Sequence, residues 1–276
     1  MDDTLLFTYR DDELYFHHTV TPDPKPEHFP FRLHSHSMHE LFYFVSGNAE
    51  YTVEGTSYEL EKGTLILSAG GQMHHIRFHP AAEPYERIVL MFSLKLLYPV
   101  MEELIRAAEG GNHVFRLSER EQVWFEENCL SVENNALSDK EKHDTLNAFL
   151  TLTLSRLSSF TAISTACTEQ KNDLVQQIIR FIHRNLTSEL SLDILEHALF
   201  RDKAYLNRIF RSAMGCSIWE YVIQKRIFNA RQQLFVTGNI AQAYASSGFH
   251  DYSVFYRNYM RWVGVSPSVD LKMLRP

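Results

Sequence analysis

The chain has 276 residues, a formal net charge of −7 and three cysteines, Cys129, Cys167 and Cys216, too far apart to form a CxxC pair. That length allows two domains of ordinary size, and the cysteine spacing suggests neither a disulfide framework nor a zinc ribbon. No run approaches the roughly 18 apolar residues of a membrane span, and no basic stretch precedes an apolar one at the start, so a cytoplasmic protein with no membrane partner is expected.

From about Leu14 to Phe92, short runs rich in aromatic and β-branched residues are separated by turn residues. This is the pattern of an all-β module. Ala49, Tyr51 and Val53 alternate with Glu50, Thr52 and Glu54, as in a strand with one wet face; Ser46-Gly47-Asn48 and Glu54-Gly55 mark the flanking turns. Leu65-Ile66-Leu67 and Ile88 to Phe92 are continuous apolar runs, as in strands covered on both sides. A small barrel or sandwich is predicted. Tyr43, Phe44, Tyr51 and Trp124 could offer stacking surfaces to a ligand, or serve as core.

Within this module, His34 and His36 share the parity of a strand face with Glu40, and His74 follows later. On a straight strand Glu40 would lie roughly 20 Å from His34, so convergence of the set requires a bend near Ser37 and Met38. The spacings HxHxxxExxxxxxG (His34 to Gly47) and GxxxxxAxGxxH (Gly63 to His74) resemble the paired motifs of the cupin β-barrel, with Ala69 in place of the usual proline. The resemblance makes His34, His36, Glu40 and His74 the candidate effector-pocket residues and also the candidate metal ligands. A His₃Glu set suits a divalent first-row ion, although no cofactor is required. A metal-free polar pocket and purely structural histidines stay open as alternatives. His39, His75 and His79 fall outside this pattern and are expected on the surface.

After Ser93 the spacing turns helical, around Leu96 to Ala108, Glu119 to Leu130 and Asp144 to Leu157. In the last stretch Leu146, Phe149, Leu150, Leu154 and Leu157 form one stripe, which must be buried on the chain's own barrel, a partner helix or a second subunit. Ser158 to Asn172 is polar, rich in small residues and reads as a linker. The charge changes sign here. Residues 1–170 hold 13 basic against 26 acidic side chains, whereas residues 171–276 hold 14 against 8. The basic half is the one suited to phosphate.

That half contains an internal repeat. Asp202, Leu206, Arg208, Phe210, Gly215 and Ser217 recur 49 positions later as Asp251, Phe255, Arg257, Tyr259, Gly264 and Ser266. Each copy has an Asp at an N-cap position, apolar residues at helical spacing, an arginine six residues after the cap and a glycine at the helix end. A short helix precedes each, Leu190 to His197 and Asn239 to Ser246, giving the helix-turn-helix order twice. Between the units, Ser217 to Phe235 is a run of 19 residues without Gly or Pro, spanning roughly 28 Å as a helix. One turn of DNA is roughly 34 Å, so such a connector could place two readers in successive major grooves.

The ordered set Leu190-Ser191-Leu192, Tyr205-Leu206, Arg208, Phe210, Gly215-Cys216-Ser217, Gly248-Phe249, Asp251, Ser253 and Gly264-Val265-Ser266-Pro267 resembles the DNA-binding domain of AraC/XylS regulators over about residues 173 to 275. By that resemblance the DNA-facing positions are Lys203, Ala204, Asn207 and Arg208 in the first reader and Tyr252, Ser253 and Arg257 in the second. Arginine suits guanine, asparagine suits adenine, and alanine offers only apolar contact to a thymine methyl. For both arginines an intra-domain salt bridge is the alternative. Glu196 and Tyr244 depart from the family, which has a small alanine at those positions; Asp270 stands where an aromatic is usual and Met260 where a lysine is usual.

The expected fold is multidomain: an N-terminal all-β cupin-like barrel with a helical dimerisation segment, and a C-terminal all-α domain with two helix-turn-helix units. The expected boundaries are 1–93 for the barrel, 94–160 for the helical segment, 161–172 for the linker and 173–276 for the DNA-binding domain. The resemblance implies a transcription regulator, not an enzyme. Its expected partners are double-stranded DNA, a small-molecule effector such as a sugar, RNA polymerase and a second copy of the chain. The alternatives are a metal-dependent cupin dioxygenase or isomerase, and a co-regulator whose DNA readers have degenerated.

Overall fold

The computed structural model describes residues 4–24, 34–36, 38–80, 83–93, 96, 114–133, 136–157, 160–162 and 173–274. The chain divides into two compact units, Met1–Cys167 and Thr168–Pro276.

The first unit contains strands β1 (Thr4–Arg10), β2 (Leu14–Thr21), β3 (His39–Ser46), β4 (Ala49–Val53), β5 (Thr56–Glu59), β6 (Thr64–Ser68), β7 (His74–Phe78), β8 (Tyr85–Phe92), β9 (Val114–Arg116) and β10 (Thr161–Ala162). It also contains helices α1 (Glu119–Val132) and α2 (Asp139–Arg156). A seven-stranded sheet runs β1-β2-β8-β3-β6-β9-β10 and a three-stranded sheet runs β5-β4-β7, with antiparallel pairing throughout. The strand parity explains the layers. Phe42, Phe44, Ile66 and Val89 project from the larger sheet to meet Tyr51, Ile76 and Phe78 of the smaller one. Leu41, Tyr43, Leu65 and Leu90 project from its other face. Both faces of the central strands are covered, which is why their sequences read as unbroken apolar runs.

Leu146, Phe149, Leu150, Leu154 and Leu157 are buried in one cluster with Leu41, Tyr43, Leu65 and Leu90. Of the three destinations left open for the α2 stripe, its own barrel is therefore the one it takes. Both helices begin with a capping box, Ser118 with Glu121 and Ser138 with Glu141. The helical stretch read around Leu96 to Ala108 lies, apart from Leu96, outside the described residues. Strands β9 and β10 fall in segments read as helical and as linker; runs of three and two residues are too short to carry a strand period.

The second unit is all helical among its described residues: α3 (Asp173–Asn185), α4 (Leu192–Leu199), α5 (Lys203–Met214), α6 (Ile218–Thr237), α7 (Ile240–Ser246), α8 (Tyr252–Val263) and α9 (Pro267–Leu274). The connector α6 has 20 residues, about 30 Å by helical rise, and starts at a Ser217–Glu220 capping box. It buries residues on several faces, including Tyr221, Gln224, Arg226, Ala230 and Leu234, as a helix at the centre of a domain must.

Candidate nucleic-acid interface and polar cluster

The two readers are α4–α5 and α7–α8. Each second helix has 12 residues. Asp202 accepts the N–H groups of Ala204 and Tyr205, both at 3.0 Å, and Asp251 accepts that of Val254 at 2.8 Å. Gly215 and Gly264 end the helices with φ of 70° and 85°, a region that favours glycine. Leu206, Phe210 and Met214 turn α5 inward, and Phe255 and Tyr259 turn α8 inward. These inward anchors leave Lys203, Ala204 and Arg208 exposed on α5, and Tyr252, Ser253 and Arg257 exposed on α8.

Neither Arg208 nor Arg257 forms an ion pair among the described residues; the Arg208 guanidinium lies 5.5 Å from the Tyr205 ring centre. The intra-domain salt bridge considered for them is thus not formed. Lys203 pairs with Asp193 across α4 and α5. Asn207, expected at base edges, has its side-chain oxygen engaged within the domain. It is half-buried, and its Oδ1 accepts the N–H of Ile218 at 3.0 Å, fastening the first reader to the start of α6. That N–H is among the first of a helix and has no partner within it, so the side chain fills a structural need.

Tyr244 is half-buried, edge-on to Tyr252 at 5.4 Å and tilted against Phe255 at 5.5 Å, so this bulky residue packs against the reader helix. Glu196 is also half-buried. The reading from sequence passed over Arg211, Tyr256 and Arg261, all exposed on the reader helices. Helical spacing from Arg208 and Arg257, at three or four residues, is the signal that finds them.

In the first unit, His34 and His74 form an antiparallel bridge, His34 N–H to His74 O at 3.1 Å and His74 N–H to His34 O at 3.0 Å. One ligand atom each from His34, His36 and His74 lies within 4.8 Å of the others. Glu40 joins them, its Oε2 3.0 Å from His36 Nε2 and 3.7 Å from His74 Nε2. The set drawn from both motifs is thus brought together. Tyr51 donates to Glu40 Oε1 at 3.1 Å, lies 3.4 Å from Ser68 Oγ and stacks parallel to the His74 ring. Strand register supplies Ser68, which lies opposite Glu40 on β6, while Tyr51 comes from the facing sheet.

Each ring has a defined orientation. His36 Nδ1 donates to Met38 O at 2.8 Å and His74 Nδ1 to Gln72 O at 3.0 Å, so both turn Nε2 toward Glu40. Burial alone would raise the Glu40 carboxyl, but the surrounding imidazoles outweigh it and hold the group well below the usual carboxylate range. Burial also lowers His36, yet the Glu40 hydrogen bond and charge raise it above its ordinary value. His74 is driven down to about 4 by burial and is neutral near pH 7, so the His36 contact is the one that balances Glu40. The His74 Nε2 lone pair is then buried without a hydrogen-bond partner. Three imidazole nitrogens, among them the buried His74 Nε2, and one carboxylate fit a divalent first-row ion.

His39 and His75 are corrections to the surface reading: they are 4% and 7% exposed. Parity cannot separate inside from outside where both faces are covered, and His39 lies on the helix-facing side of β3, against Phe92 and accepting the N–H of Gly70 at 3.1 Å. Burial lowers both to about 4. His79 is partly exposed and pairs with Glu59 at 3.2 Å.

A β-barrel carrying a convergent polar cluster and a helical unit with two capped readers together define a DNA-binding transcription regulator with a sensory domain. The Helix-turn-helix domain family matches residues 195–273 and the Cupin domain family matches residues 19–86. The HTH-type transcriptional activator AarP of Providencia stuartii is 31% identical over 123 residues, 40% of this chain and 88% of that protein. The melibiose operon regulatory protein of Escherichia coli is 24% identical over 85% of this chain and 81% of its own length. Among solved structures, ToxT from Vibrio cholerae aligns over 96% of this chain and 100% of that one at 16% identity and a TM-score of 0.40. The chain belongs to the AraC/XylS family of transcription regulators. No helix among the described residues is long and apolar enough to cross a membrane.

Proposed function

We propose that the chain reads double-stranded DNA through α5 and α8, with Lys203, Ala204 and Arg208 on one reader and Tyr252, Ser253 and Arg257 on the other facing the groove. Arg208 and Arg257, matched in position and exposed without an ion-pair partner among the described residues, are the observation that carries this reading. Asn207 acts as a positioning residue through Ile218. The barrel senses an effector at His34, His36, Glu40 and His74, and effector binding shifts the population of DNA-competent states. Relatives that regulate melibiose and lactose operons support a sugar or sugar derivative as the effector class, and the cluster's imidazole, carboxylate and hydroxyl groups are suited to hydroxyl recognition. We read this cluster as a sensor, not a catalytic centre. The regulator works in the cytoplasm, engages RNA polymerase and forms a homodimer through the outward faces of α1 and α2, where Val123, Leu130 and Leu152 are exposed. In the domain boundaries, the segment 94–160 serves dimerisation, and the linker to the readers begins after β10 rather than at 161.

The test is a footprint on the adjacent upstream DNA, with and without a panel of mono- and disaccharides. Wild type should protect two neighbouring major-groove segments in a salt-sensitive manner. Arg208→Ala and Arg257→Ala should each weaken binding about tenfold, at different segments. No salt-sensitive protection at any concentration below aggregation would refute the reading.

The buried Nε2 lone pair of His74 favours a second reading, in which a divalent ion sits among His34, His36, Glu40 and His74 and either serves as effector or presents one. Tag-free protein should then retain close to one equivalent of a first-row metal by elemental analysis, and His74→Ala should lose it. Metal-free protein that gains no thermal stability from added Zn²⁺, Ni²⁺ or Mn²⁺ would exclude it.

A further inference from the structure

The 49-residue repeat lets the two reader helices be compared position by position, and they differ along one flank. On α5 the positions Lys203, Asn207 and Arg211 form a stripe at helical spacing; on α8 the corresponding positions are Tyr252, Tyr256 and Met260. Those three are 48%, 40% and 38% exposed. The neighbouring stripe, by contrast, stays basic: Ala204 and Arg208 on α5 correspond to Ser253 and Arg257 on α8, and Arg261 extends the second. A polar flank has been exchanged for one of large, largely apolar side chains beside a row that keeps its arginine, Arg208 or Arg257.

The flank is also held in place. Tyr252 lies 6.4 Å from Tyr256 between ring centres, and is supported behind by Tyr244 at 5.4 Å and by Phe255 at 5.7 Å. Large apolar side chains left in solvent beside a cationic row gain only where a surface offers negative charge and apolar patches together. The major groove does so at one base: the C5 methyl of thymine is the apolar feature of its floor, and phosphates line its edges.

Building on the reading of α5 and α8 as groove-facing helices, we propose that the second reader selects thymine through the Tyr252–Tyr256–Met260 flank, with Tyr256 as a specificity-determining residue, while the first reader recognises polar base edges. Tyr244 is the positioning residue for this flank, which gives the bulky side chain on α7 a purpose.

The test uses the full chain and duplexes it selects from a random pool, with each thymine of the winning sequence replaced in turn by deoxyuridine, which deletes the methyl and keeps the pairing. The second reader's half-site is the one whose selection is lost in Arg257→Ala. Uracil there should weaken binding about fourfold per contacted methyl, and uracil in the other half-site should change nothing. Tyr256→Ala should bind the thymine duplex about tenfold more weakly and show no uracil penalty, while Tyr256→Phe keeps it. A uracil penalty that is absent, equal in both half-sites or unchanged by Tyr256→Ala would overturn the proposal with DNA reading intact. Failure to enrich any duplex would remove the DNA reading itself and this inference with it.

Discussion

Arg231 grips Asp270 with two nitrogens of its guanidinium, Nε donating to Oδ2 at 2.8 Å and Nη2 to Oδ1 at 3.1 Å, around a carboxylate that is 1% exposed. The Tyr259 hydroxyl donates to the same carboxylate at 2.6 Å, so α6, α8 and α9 meet at one buried anion. Removing one partner of such a pair leaves the other charge uncompensated. Asp270→Asn, which keeps the volume, is expected to cost about 3 kcal/mol in urea unfolding of the helical unit. A midpoint within error of wild type would show that the aspartate does not hold α9.

His18 provides a pH dependence outside the polar cluster. Its Nδ1 lies 2.8 Å from Glu133 Oε1 at the end of α1, and its Nε2 lies 2.7 Å from Glu86 Oε1 on β8. Burial pulls its pKa down, but the two carboxylates outweigh that and raise it. A histidine raised on folding contributes fully below its unfolded value, about 6.5, and loses that contribution as pH rises through its higher folded value. The unfolding free-energy gap between wild type and His18→Gln, read from denaturant titrations, should therefore be widest below about pH 6.5, at roughly 2 kcal/mol, and narrow above it. A gap that widens with pH would reverse the assignment.

Two glycines with nearly equal φ should respond differently to alanine. Gly248, at φ +87°, would place a Cβ 2.4 Å from Leu186 O and 2.9 Å from Thr187 Cα, both backbone atoms. Arg226 closes the same junction, donating to Leu186 O at 2.9 Å and Ser188 O at 3.0 Å. Gly264, at φ +85°, would meet nothing within 4 Å. Gly264→Ala is expected to cost about 1 kcal/mol of backbone strain, and Gly248→Ala at least about 2 kcal/mol more as the turn before α8 is pushed from the α3–α4 loop. Equal losses in denaturant titrations would mean that the loop yields freely.

The readers were legible because their signals are local: Asp202 and Asp251 cap helices that start one residue later, and Gly215 and Gly264 stop them. The histidine set was legible through spacing, since motif distances encode the strand geometry that brings His34, His36, Glu40 and His74 together. The contacts that tune these sites were not. Tyr51 of β4 reaches Glu40 of β3 and Ser68 of β6 only because the smaller sheet packs on the larger one, and Asp270 finds Arg231 across 39 residues of sequence. Asn207 looks like a base-reading amide until α6 folds back and presents the N–H of Ile218. Residue type gave the right elements, while partners distant in sequence decided which side chains remained available.

Phe200 closes α4 in the left-handed region, with φ 52° and ψ 41°, and its ring is 85% exposed in the turn that leads to α5. A bulky L-residue is strained there by its Cβ, and the exposed ring recovers nothing by burial. Asparagine tolerates this conformation and glycine has no Cβ to clash, though glycine adds freedom to the unfolded chain. Phe200→Asn should therefore stabilise the helical unit by about 1 kcal/mol, Phe200→Gly by less, and Phe200→Ala, which keeps the Cβ, scarcely at all. Denaturation midpoints rank the three directly. If alanine matches asparagine, the cost lies in the exposed ring and not in the backbone. A loss of DNA affinity in the stabilised asparagine variant would instead assign the ring to the nucleic-acid interface, which would explain why the turn tolerates its strain.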